Sequence, residues 1–267
     1  VNMSLPHDYP VGKILGGRTA PITSTNFNIF EETYVAGDQI NMLESQNRLA
    51  QSPITGLITF PVGNIATARI KLVGGGGGAG GGWSNFGGNG NGGTMDVTVN
   101  LSSYAGTTLY IFFGGCGQNG IGDDSGGSNC QGGYNGGAPA SNGGGGGRTD
   151  IRTISANPQT ELIVAGGGGG WNGGGGVTGA RYQAASQLGC VGIFDEAQGY
   201  TFEGSGGGGG YYAGISDCGD VGANAGAGSN YVIGSIIQTT HTDTRIATSN
   251  GGNSGCGWAT VTVLSVN

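Results

Sequence analysis

The chain has 267 residues, 65 of them glycine, with 9% charged residues and a formal net charge of −7. Nine Lys and Arg in all are too few for a phosphate-binding surface, which excludes nucleic acid as a partner. No apolar stretch approaches the roughly 18 residues that a membrane-spanning helix needs, so no transmembrane segment is expected.

Glycine at this level without a G-X-Y period ordinarily signals low complexity or disorder. Disordered chains, however, carry high charge and few β-branched or aromatic residues. Here charge is low, and Val, Ile, Tyr and Phe segments bracket nearly every glycine run. That alternation argues for order. The sequence begins at Val1 rather than Met, as removal of a signal peptide or an incomplete N-terminus would leave it.

Residues 1–54 differ in texture from 55–267, and the two are expected to be separate units. The first contains Pro6, Pro10, Pro21 and Pro53, the apolar stretch Phe27 to Tyr34, and a turn at Gly37 and Asp38. Met42 to Leu49 reads as a short helix. The whole segment reads as an N-terminal arm, a strand lent to a neighbouring subunit, or a small β layer.

From residue 55 onward strands follow one another. Leu57 to Pro61 is one, and Thr67 to Val73 places Ala68, Ile70 and Leu72 on one face with Arg69 and Lys71 on the other. Met95, Val97, Val99 and Leu101 alternate on the next, and Leu109, Ile111 and Phe113 on another. Thr149 to Ile154, Glu161 to Ala165 and Trp258 to Leu264 complete the set. Short strands with antiparallel pairing predict an all-β, jelly-roll-like antiparallel β-sandwich.

The oligoglycine runs at 74–82, 143–147, 166–170, 173–176 and 206–210 admit three readings: mobile loops, nucleotide-binding loops or structure. Flexible linkers rarely recur between patterned strands. The many G-x-G-x-x-G matches follow from glycine content alone, and none opens an amphipathic helix. An extended left-handed helix of three residues per turn fits best. It has no internal hydrogen bonds, so several such helices satisfy one another's backbone groups when packed side by side. Five residues span roughly 15 Å at that rise. Packed polyglycine II helices are therefore expected within the fold.

Five cysteines, Cys116, Cys130, Cys190, Cys218 and Cys256, form no C-x-x-C pair. Disulfides in an oxidising compartment are the better reading, with the pairing open and one cysteine left over. Asn2 and Asn100 open N-glycosylation sequons. Trp83, Trp171, Tyr211 and Tyr212 adjoin glycine runs, and Tyr134 interrupts a Gly/Asn stretch. They are read as covers for the glycine helices or, functionally, as a binding surface for a glycan or protein.

Catalysis finds little support. His7 and His241 are the two histidines, and a Ser-His-Asp set built on His241 and Asp243 lacks a G-x-S-x-G elbow. Asp195 and Glu196 read as a solvated turn. Asp123 and Asp124 faintly resemble a calcium-binding repeat, but that architecture needs tandem copies, and an acidic turn is preferred. No cofactor or metal is expected.

Several segments together carry a family resemblance: Phe60-Pro61-Val62-Gly63 leading to Lys71-Leu72-Val73-Gly74, Leu109 to Gly115, Gly132 to Gly137, Gly143 to Arg152, Leu162 to Gly170 with Trp171-Asn172, and Gly206 to Tyr211. In content and order they resemble the glycine-rich domain in the ectodomains of anaplastic lymphoma kinase and leukocyte tyrosine kinase, and similar domains of microbial surface proteins. The resemblance covers roughly residues 55–267. It implies a β-sandwich with packed polyglycine helices, outside the cell, acting in binding or assembly. No kinase domain is present, so receptor signalling does not carry over. The expected function is an extracellular, non-enzymatic structural protein that self-assembles into a surface filament, sheath or matrix, as a homo-oligomer or polymer. The alternative is an adhesin or ligand-binding module for a glycan or protein.

Overall fold

The computed structural model describes residues 12–15, 18–20, 33–43, 57–79, 90–119, 130–140, 143–155, 160–170, 206–211, 214, 226–244 and 255–267. Among them the chain is all-β, with twelve strands and one short 3₁₀ turn at Ser102–Tyr104.

The strands are β1 (Gly12–Leu15), β2 (Arg18–Ala20), β3 (Gln39–Leu43), β4 (Leu57–Pro61), β5 (Ile65–Val73) and β6 (Thr94–Asn100). They continue as β7 (Thr108–Phe112), β8 (Thr149–Arg152), β9 (Glu161–Ala165), β10 (Tyr231–Val232), β11 (Ile237–Thr244) and β12 (Trp258–Val266). Two antiparallel sheets result. One has seven strands in the order β11-β6-β5-β12-β3-β1-β2, the other five in the order β10-β9-β8-β7-β4.

The period-2 pattern places the core. Ala68, Ile70 and Leu72 of β5, Val97 and Val99 of β6, and Ala259, Val261 and Val263 of β12 are fully buried. From the five-stranded sheet, Phe60, Leu109, Ile111, Ile151 and Ile163 join them in one hydrophobic cluster. At roughly 25 cal/mol per Å² of apolar surface removed from water, this shared core is the main force holding the two sheets together.

One expectation needs correction. The helix expected over Met42–Leu49 is not formed at its start, because Met42 belongs to strand β3. Ile40 and Met42 alternate into the core and β3 pairs along five residues with β12, so burial and ladder bonding override a local helical preference. Of the residues before 55, the described strands join the main sheet. β3 lies beside β12 in the main sheet, and β1 and β2 extend that sheet further. Tyr34 is also buried, its hydroxyl donating to the Pro61 carbonyl at 3.0 Å. The expected turn at Gly37 and Asp38 is present, with Gly37 at φ 95° and its N–H bonded to the Val263 carbonyl.

Topology directs the glycine runs to one end of both sheets. Val73, the last residue of β5, faces Thr94 and Trp258, the first residues of β6 and β12. Likewise Phe112 at the end of β7 faces Asp150, and Ala165 at the end of β9 faces Thr149. Chain segments 74–79, 113–118 and 166–170 therefore leave the sheets where 90–93, 143–148, 226–230 and 255–257 enter them.

Candidate functional site

The segments that leave that common end form a hydrogen-bonded array built almost entirely from backbone. Along 74–78, successive N–H groups donate to the carbonyls of Gly93, Gly147, Gly255, Gly90 and Gly144, at 2.7–3.0 Å. Residues three apart thus donate to the same neighbouring segment. The same spacing recurs elsewhere. Gly144 and Gly147 donate to Gln118 and Gly115, which themselves donate to Gln131 and Tyr134. Gly167 and Gly170 reach Gly209 and Gly206, and these two reach Gly146 and Gly143.

Glycine serves here by lacking a side chain, not by its conformational freedom. Along runs 74–78, 143–147, 166–170 and 206–210 only Gly143 has a positive φ, at 153°. A Cβ added at Gly75, Gly77, Gly146, Gly167 or Gly208 would stand closer than 3.0 Å to backbone atoms of an adjacent segment. Backbone cannot yield as a flexible side-chain end does, so any side chain would hold the segments apart.

Side chains fasten the array to the sheets at a few points. The Thr149 hydroxyl donates to the Val73 carbonyl at 2.6 Å and accepts from Gly114 N–H at 3.1 Å, joining the two sheets at the edge where the array departs. Asn230 does the same on the other side: its Oδ1 accepts from Gly166 N–H at 2.8 Å, and its amide donates to the Thr94 carbonyl and to Asp243. A disulfide links Cys116 to Cys256 across 140 residues of sequence. It tethers segment 255–257, whose Gly257 N–H bonds Gly114 and whose Gly255 carbonyl serves Gly76. In the chain-entropy account a closure that long is worth about 5 kcal/mol.

A buried ionic cluster closes the array against the five-stranded sheet. Arg148, Asp150 and Arg152 alternate on one face of β8 and its entry, and all are buried. Arg152 chelates Asp150 at 2.5 and 2.8 Å, and its Nη2 also donates to Asn135 Oδ1. Arg148 pairs with Asp150 and with Glu161, and its Nη1 donates to the Gly210 carbonyl at 2.8 Å, holding the end of run 206–210. Asn135, in the left-handed region at φ 64°, completes the ring by donating to the Arg148 carbonyl and Asp150. Burial pushes the Glu161 carboxyl up to about 7, over the lowering pull of Arg148.

The aromatics divide. Tyr211 stacks on Tyr231 with centroids 3.8 Å apart, and its N–H bonds the Ser229 carbonyl. Tyr134 is half-buried and contributes its carbonyl to the array. Trp83, Trp171 and Tyr212 lie outside the described residues, as do Cys190, Cys218, Asn2, His7, Asp123, Asp124, Asp195 and Glu196. Cys130 is buried, and Asn100 is exposed at the end of β6.

His241 Nε2 lies 2.7 Å from the Thr98 hydroxyl, whereas Asp243 takes the Asn230 amide, so Asp243 does not orient His241. No group of three His, Cys, Asp or Glu among the described residues is placed to hold a metal ion. The ionic cluster escaped sequence reasoning, although Arg148-Thr149-Asp150-Ile151-Arg152 carries its signal: charges two apart on a strand share a face. No protein-family model matches the chain, and the curated proteins contain no significant match to it.

Two outcomes follow from this geometry. Gly146→Ala, where a Cβ would meet the Gly75 backbone, should cost about 3 kcal/mol or prevent folding, while Gly234→Ala, with nothing within 4 Å, should change stability by less than about 0.5 kcal/mol in urea unfolding. Glu161 binds a proton more readily in the fold than at its ordinary pKa of 4.5, so its contribution to stability grows as pH falls from about 7 toward 4.5 and is lost on raising pH through 7. Unfolding midpoints of Glu161→Gln measured between pH 5 and 8 should lack that component of the slope.

Proposed function

We propose that this protein is an extracellular, non-enzymatic recognition module for a glycan or protein. Its body is a jelly-roll-like β-sandwich whose glycine segments are packed polyglycine II helices. The three-residue period of the hydrogen bonds supports that helix form, because a helix of three residues per turn presents every third N–H to the same neighbour. The Cys116–Cys256 disulfide and the resemblance to the glycine-rich domains of receptor ectodomains support a place outside the cell.

The observation that carries recognition over assembly is the state of the sheet edges. Open edges invite pairing with another chain. Here β2 is three residues long and β10 two, and β4 ends on Pro61. β11 is longer, but its pairing with β6 is interrupted by two register irregularities. Strands from the first 54 residues lie in the chain's own sheet, so none of β1–β3 is free to be lent to a neighbour. A rigid, monomeric scaffold suits recognition, where connecting segments are displayed from a fixed frame.

The self-assembling filament, sheath or matrix subunit is the second reading, and it draws on the eight-residue β11, exposed at 237–241 and 243. Light scattering and negative-stain microscopy of the purified chain separate the two. Monomer across micromolar concentrations is the expected result; ordered polymer would overturn the recognition reading.

A further inference from the structure

The Asn100-Leu101-Ser102 sequon lies at the end of the sandwich remote from the glycine array. Strand β6 emerges from the array at Thr94 and ends at Asn100, roughly 20 Å away at about 3.4 Å per residue. Met95, Val97 and Val99 alternate into the core, so Asn100 shares the opposite face with Asp96 and Thr98, and it is exposed. Across the sheet its register continues through Thr67 of β5 to Ser265 of β12. Together with the exposed Ser102 these are small, uncharged side chains, which leave room above the sheet for a bulky substituent.

The triplet alone is a cheap match, and its placement in the fold is what argues for its use. Asn100 Oδ1 accepts the Ser102 N–H at 2.9 Å, an Asx turn in which the side-chain carbonyl fixes the backbone two residues on. The amide Nδ2 donates to no described residue. The backbone around it is anchored: Asn100 N–H donates to the Ile236 carbonyl and that of the fully buried Leu101 to the Ala66 carbonyl, both at 2.8 Å. A sugar on Nδ2 therefore disturbs neither the turn nor the ladder. The acceptor nitrogen is open while everything around it is held.

We infer that Asn100 is an N-linked glycosylation site whose glycan stands on the outer face of the seven-stranded sheet and leaves the glycine array uncovered. The donor is a polyprenyl pyrophosphate-linked oligosaccharide. Asn100 Nδ2 bonds to the anomeric carbon, the bond from that carbon to the pyrophosphate oxygen breaks, and its electron pair leaves with the pyrophosphate. One Nδ2 proton passes to a base of the transferase. The site rests on the extracellular reading above, because this modification belongs to secreted chains.

Peptide mass spectrometry tests it on the full chain secreted from a eukaryotic cell line behind a cleavable signal peptide, before and after treatment with peptide-N-glycosidase. A glycan on the Asn100 peptide of the secreted material is expected, with Asn100→Asp conversion on enzymatic release. Ser102→Ala keeps Asn100 and the backbone N–H of the turn, yet it should remove that glycan entirely, as should Asn100→Gln. Secreted chain unmodified at Asn100, a glycan confined to Asn2, or an Asn100 glycan found only in retained, misfolded material would overturn the site. So would a glycan that survives Ser102→Ala. Each of those outcomes leaves the recognition reading standing, whereas polymer in the secreted material would overturn that reading without touching the site.

Discussion

A peptide group removed from water must find a hydrogen-bond partner, and in this molecule that requirement falls on segments with almost no side chains. Helices satisfy it within themselves and sheets satisfy it along a ladder. The glycine segments do neither. Each sends successive N–H groups to different neighbours, and the solution closes because the segments lie close enough for carbonyl and amide to meet. That approach is available to glycine alone, since an added Cβ would stand within 3.0 Å of the facing backbone. Low net backbone hydrogen-bond energy, about 1 kcal/mol each, makes the number of such bonds and their mutual rigidity the source of order.

Such an array has no hydrophobic core of its own, and the two sheets supply what it lacks. Apolar burial fixes the strands, the strands fix where each glycine segment begins, and Thr149, Asn230 and the Cys116–Cys256 bridge set the spacing between segments at that boundary. The Arg148–Asp150–Arg152–Glu161 cluster acts at the opposite side of the five-stranded sheet from the core, tying run 206–210 down. With Glu161 ionised its four charges sum to zero. A pair broken there would leave a buried ion unmatched, which costs far more than the intact cluster contributes.

Sequence patterning made the strands legible wherever one face was apolar and the other polar, as in β5, β6, β7 and β12. It missed β11, whose Thr, Gln, His and Asp residues lack alternation because an edge strand with irregular register faces solvent along most of its length. It also misjudged β3, where five residues carry too short a period to separate strand from helix and only the β12 partner decides. The glycine runs announced close packing through their recurrence between strands, but which segment bonds which is a property of the assembled array. The cross-strand cluster around Lys71 was half visible as the Arg69/Lys71 face of β5. Trp258 and Thr98 lie 187 and 27 residues further along the chain than Lys71, and register alone brings them beside it.

Amide hydrogen exchange measured residue by residue by NMR tests the central claim most directly, that the glycine segments are a hydrogen-bonded, ordered part of the fold. Amides of Gly75, Gly77, Gly146, Gly167 and Gly209 should exchange as slowly as those of core strands β5 and β6, through openings close to global unfolding. Exchange at the rate of an unprotected loop at these glycines, with β5 and β6 still protected, would contradict it.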